Sequence, residues 1–102
     1  MGHKVIVTPP AIEDLRTIVE YIAADNPTRA FSFDEELLNR ALGLGELPNA
    51  GRIVPEVGDH PVREVIHQAY RIVYKIEATS RVVYVVRFWH AARGEPDIFS
   101  KA

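Results

Sequence analysis

The sequence predicts an α+β domain of order β-α-α-β-β-β, with a helical hairpin packed on one face of a mainly antiparallel twisted sheet. Three observations predict it. Helical periodicity is confined to residues 9–47, β-branched and aromatic runs fill residues 62–67, 70–77 and 81–90, and a breaker-rich stretch at 48–61 separates the two regimes. The chain of 102 residues, 47% apolar and 25% charged, reads as a single domain, 1–102, that folds on an apolar core rather than remaining disordered.

The first element is the apolar run at residues 3–8, HKVIVT, a short strand. Thr8-Pro9-Pro10 then reads as an N-cap with proline in the first turn, and Glu13 and Asp14 are placed to complement the helix dipole. The stripe Ile12, Leu15, Val19, Ile22 and Ala23 is the expected inner face of this helix. Asp25-Asn26-Pro27 ends it and caps the next, which is expected to run to about Leu47 with Phe31 or Phe33, Leu37, Leu38, Ala41 and Leu42 inward. Pro48, Gly51, Pro55, Gly58 and Pro61 make the connector irregular.

Charge is uneven along the chain. Residues 1–51 carry four basic and eight acidic side chains, a balance of −4, whereas residues 63–93 carry six and two, a balance of +4. An anionic partner is therefore expected on the second half. The absence of cysteine excludes disulfides, thiolate metal sites and a cysteine nucleophile. The histidines His3, His60, His67 and His90 lack metal-ligand spacing, and there is no Gly-rich phosphate loop or nucleophile elbow, so neither metal nor cofactor is expected. No apolar run approaches the roughly 20 residues that span a bilayer, and the opening residues lack a signal-peptide core. A cytoplasmic protein with no membrane partner is the expectation.

The last two strands constrain each other. With a three-residue turn at Ala78-Thr79-Ser80, Glu77 faces Arg81, and Ile76/Val82, Tyr74/Tyr84, Ile72/Val86 and Tyr70/Phe88 line one face. Arg71 and Arg87 then stand opposite each other on the face away from the helices, beside Trp89. Like charges directly across a ladder repel, so the pair reads either as a clamp for phosphate or carboxylate, or as a solvated face with one arginine turned toward Glu64 or a terminal residue. His90 at the strand end reads as an acid or base, or as a structural cap. Trp89 reads as a stacking surface or as cover for a sheet edge.

The connector GRIVPE at 51–56, the strand YRIVY at 70–74 and the ending VRFWHAAR at 86–93, in that order, resemble the ParE/RelE superfamily of type II toxin–antitoxin toxins over essentially the full chain. The resemblance implies a growth-inhibiting toxin of a plasmid-stabilisation module, neutralised by a cognate antitoxin of ParD-like ribbon-helix-helix or similar type. In ribosome-dependent mRNA endonucleases resembling RelE and YoeB it implies Glu56 as base, His90 as acid, and Arg71 and Arg87 on the phosphate. In ParE-like members it implies inhibition of DNA gyrase without catalysis. RelE-type lysines are missing, with only Arg52 and Arg63 in their region, and the His-Ala-Ala-Arg turn continues into a tail, so the ParE-like reading is favoured over ribosome and mRNA. Whether the chain is an enzyme follows that choice; a degenerate toxin that only binds its antitoxin is the third reading. Arg63, Arg71, Arg87, Trp89 and Arg93 are the expected antitoxin or target contacts.

Overall fold

A computed structural model describes residues 2–54 and 62–94. Strand β1 (Lys4–Val7) leads into helices α1 (Pro9–Ala23) and α2 (Pro27–Leu42), followed by β2 (Arg52–Ile53), β3 (Val62–His67), β4 (Tyr70–Glu77) and β5 (Val82–His90). The sheet order is β1-β5-β4-β3-β2, with β1 parallel to β5 and the remaining neighbours antiparallel. The expected architecture is therefore present, with β2 as an added strand of two residues. The second helix stops at Leu42, where a single tight turn, Gly43–Gly45, replaces the predicted extension to Leu47.

Both helices begin where proline supplies a helical φ and lacks an N–H to satisfy. Asn26 caps α2, its side chain accepting from the Arg29 N–H at 3.0 Å. Thr8 does not cap α1: its hydroxyl donates instead to the Val85 carbonyl at 2.9 Å, tying the helix start to β5. The inward stripe of α1 is Ala11, Leu15 and Ile18, with Ile22 at its margin, while Ile12 is 56% exposed. In α2 Ala30, Phe33, Leu37 and Ala41 are buried, so the inward aromatic is Phe33, and Phe31 and Leu42 face solvent.

These helices cover Val65, Ile72, Tyr74, Val83, Val85 and Phe88 on one face of the sheet. A smaller cluster of Val54, Val62, Val73 and Trp89, with Val86, forms on the other face. The connector is pinned where Tyr74, fully buried, accepts from the Gly51 N–H at 2.8 Å and donates to the Pro48 carbonyl at 2.7 Å. A Cβ on Gly51 would lie 2.4 Å from the Glu64 carbonyl oxygen, so this close approach requires glycine. Replacing Tyr74 by Phe strands the Gly51 N–H in the interior and is expected to lower stability by about 1–3 kcal/mol in urea unfolding; an unchanged midpoint would contradict this role. On the helix side Glu36 joins Arg29 at 2.7 Å and His67 at 3.1 Å, linking α2 to the β3–β4 hairpin. The bond from Arg29, aided by His67, holds the Glu36 carboxyl below its usual range.

The register of β4 and β5 differs from the expected one in two places. The turn takes four residues, 78–81, with Arg81 in the left-handed region at φ 57°, so Glu77 pairs with Val82 rather than Arg81. This slip puts Val83 and Val85, not Val82 and Tyr84, into the helix-side core. A bulge between Val73 and Tyr74 then leaves Val86 unopposed and shifts the pairing again, so that Phe88 returns to the core and Arg87 and Trp89 to the other face. Arg71 consequently faces Trp89, and Arg87 faces Val73. The predicted Arg71/Arg87 pair does not form; the two are diagonal neighbours.

Candidate functional site

The second face of the sheet carries a polar row across its strands. Arg52 on β2 pairs with Glu64 on β3, Glu64 with Val73 on β4, and Val73 with Arg87 on β5; in the next row Ile66, Arg71 and Trp89 align. Glu64 is 3% exposed and lies between two guanidinium groups: Arg71 Nε at 2.5 Å and Arg52 Nη2 at 2.6 Å. Arg71 also donates through Nη1 to the Gly94 carbonyl at 2.8 Å, and the Trp89 indole N–H reaches the same oxygen at 3.2 Å. Two cationic donors replace part of the solvation that this carboxylate loses on burial. Arg71 is turned toward Glu64, as one reading of this face had it, but the pair is buried rather than solvated.

Arg87 is engaged on a different element. Strand β1 pairs with β5 only up to Val7 and Val85, which among the described residues leaves the later part of β5 without a strand on that side. Asp14 of α1 closes the gap, accepting from Arg87 Nε at 2.6 Å, from Arg87 Nη2 at 2.7 Å and from the Phe88 backbone N–H at 3.1 Å. The bidentate pair is largely enclosed, with side-chain exposures of 9% and 10%. Asp14, expected to serve the helix dipole, is thus the carboxylate that joins α1 to β5.

Beyond the strand, His90 caps the turn Ala91–Arg93: its Nδ1 accepts from the Ala92 N–H at 3.0 Å, which leaves Nε2 as the remaining ring nitrogen. The ring meets Tyr70 edge-on at 5.0 Å. Arg93 lies over the Trp89 ring at 3.7 Å from its centroid, with Arg87 at 4.9 Å from the same ring. Between α1 and the ends of β4 and β5 opens a cleft of about 370 Å³, floored by Ile18 and Phe88 and flanked by Tyr21, Tyr70, His90 and Arg93. Burial, with Tyr21 nearby, pushes the Tyr70 phenol above its ordinary range, so it stays a neutral donor.

A two-helix hairpin on a five-stranded sheet, with a basic ending on β5, is the geometry on which the family comparison bears. The model of the ParE toxin of the type II toxin–antitoxin system parDE matches residues 5–94. The chain belongs to this ParE toxin family. No curated protein sequence matches it significantly. Among solved structures, the chromosomal ParDE toxin–antitoxin system of P. aeruginosa superposes with a TM-score of 0.72 at 16% identity, covering 87% of this chain and 96% of that one. The toxin–antitoxin complex RelBE2 of Mycobacterium tuberculosis gives 0.67 at 22% identity, with coverage of 88% and 99%. An arginine double mutant of E. coli toxin RelE in the free state gives 0.63 at 18%, with coverage of 100% and 95%. At these identities the likeness establishes the shared fold.

For a ParE-family chain the predicted site residues fall into separate groups. Arg71, Trp89 and Arg93 meet around the Gly94 carbonyl and the indole ring, Arg87 joins them from one side, and His90 borders the cleft. Arg63 instead serves the connector, its Nη1 donating to the Gly51 carbonyl at 2.7 Å. Glu56 lies outside the described residues. The sequence assigned no site role to Arg52, Asp14, Tyr21 or Tyr70, and the partners of Arg52 and Asp14 lie 12 to 74 positions away. Among the described residues no group of three or more His, Asp or Glu could hold a metal ion, and no helix is long and apolar enough to cross a membrane.

Proposed function

We propose that this ParE-family toxin inhibits DNA gyrase by binding rather than by cutting RNA, halts growth when free, and is neutralised by a cognate antitoxin encoded with it. The observation that carries the reading is the engagement of both phosphate-candidate arginines by internal carboxylates: Arg71 by Glu64 and Arg87 by Asp14. Phosphoryl-transfer catalysis needs donors already aimed at the position where charge develops. Here a phosphate reaching Arg71 meets the buried Glu64 charge, and one reaching Arg87 must displace a bidentate carboxylate. The cap on His90 Nδ1 is equally consistent with a structural role.

The antitoxin is expected to be of ParD-like ribbon-helix-helix or similar type, with a tail of acidic and apolar residues that folds along the toxin. Its partner surface is the basic second half, where exposed Arg93, held over the buried Trp89 ring, supplies a cation. The reading also places the protein in the cytoplasm, where gyrase works, and in a plasmid-stabilisation module. Supercoiling of relaxed plasmid by purified gyrase is the test. The expected result is inhibition with accumulated cleavage complexes at micromolar toxin, reversed by antitoxin. Normal supercoiling together with cleavage of translated mRNA would instead point to the ribosome, and inertness in both assays to a toxin that only binds its antitoxin.

A further inference from the structure

We infer that the cleft between α1 and the ends of β4 and β5 binds one nucleotide unit, with its base against the tyrosines and its phosphate on Arg93. The cleft's volume of about 370 Å³ is in the range of small-ligand sites, which begins near 300 Å³. Its floor is apolar, Ile18 and Phe88, and its walls are rings: Tyr21, 78% exposed, Tyr70, and His90 set edge-on to Tyr70. Flat apolar walls with hydrogen-bonding rims suit a heteroaromatic base, which stacks through its face and bonds through its edge.

Three polar groups remain to serve that edge. Among the described residues neither the Tyr21 nor the Tyr70 hydroxyl has a protein hydrogen-bond partner, and His90 uses only Nδ1. The charges at the rim then select the rest of the ligand. Glu13 is paired with Arg16, and Asp14 with Arg87, so both carboxylates bordering the cleft are compensated. The four charged groups lining the cleft balance, but Arg93 has no carboxylate partner among the described residues and is the cation left to take an anion. Stacked on Trp89, this guanidinium spends its face on the ring and keeps its in-plane N–H donors for a bidentate phosphate. Neither Arg71 nor Glu64 lines the cleft, and its occupancy does not depend on whether gyrase is the target.

Titration of the full chain with nucleoside 5′-monophosphates, followed by amide chemical shifts, tests this. Saturable shifts are expected on Tyr21, Tyr70, His90 and Arg93. Arg93→Ala should weaken monophosphate binding by about tenfold while leaving the much weaker binding of the parent nucleoside unchanged. Tyr21→Ala should weaken both by a similar factor. Both side chains are exposed, so the variants are expected to fold, and unchanged backbone shifts elsewhere would verify it. Three outcomes overturn the proposal: no saturable shift, equal binding by inorganic phosphate alone, or shifts confined to an acidic aromatic peptide used as a control ligand. The last would make the cleft a protein-docking site.

Discussion

Replacing Glu64 by Ala is expected to lower the unfolding free energy by about 3–5 kcal/mol, among the largest single losses available in this fold. The side chain is 2% exposed and serves two arginines, but the two partners differ sharply: Arg71 is 8% exposed and Arg52 58%. Removing the carboxylate takes the Glu64 anion away from the enclosed Arg71 charge, and the loss of that buried pairing carries most of the cost. Arg52→Ala, by contrast, removes an exposed partner and should cost less than about 1 kcal/mol. Chemical denaturation of the two variants separates these values easily. Equal small losses would mean that the pair is incidental and Arg71 readily re-paired, which would also reopen a phosphate role for it.

Asp14→Ala is the second large effect, at about 2–4 kcal/mol. It removes a bidentate acceptor from Arg87 and leaves the Phe88 N–H without its acceptor at the place where β1 no longer covers β5. Asp14→Asn keeps an acceptor oxygen and should recover part of the loss. Because α1 is joined to β5 through this residue, amide exchange at Phe88 should accelerate in the alanine variant more than in strand β3. Exchange that rises uniformly across the sheet would contradict the local role.

Much of this architecture was legible because local chemistry and tertiary need agree. Strands β3 and β4 fall at 62–67 and 70–77 as their β-branched and aromatic runs indicate, and Pro9 and Pro27 open the two helices. The stripe of α1 was misplaced because apolar residues at 11, 12, 15, 18, 19, 22 and 23 span more than one helix face, and only the sheet decides which are inward. The register of β5 failed for a different reason. A longer turn held by Arg81 at positive φ inverts the faces of its first half, and the bulge at Val86 inverts them back. The two departures compensate beyond Val86, which is why Phe88, Arg87 and Trp89 lie on the faces that simple alternation assigns them. Strand β2 carries only two residues and depends on Gly51, Tyr74 and Pro48 meeting in space, so nothing local announces it. Asp14 reads from sequence as a first-turn acid and Glu64 as a possible arginine partner; their burial follows from partners on other strands and helices.

The central claim is that the arginines of this ParE-family toxin hold its fold together rather than a transition state. It is tested most directly by mapping mRNA 5′ ends by primer extension in cells in which the toxin has stopped growth. The account predicts growth arrest with an unchanged pattern of ends. New ends within translated codons, abolished by Glu56→Gln without loss of fold, would contradict it.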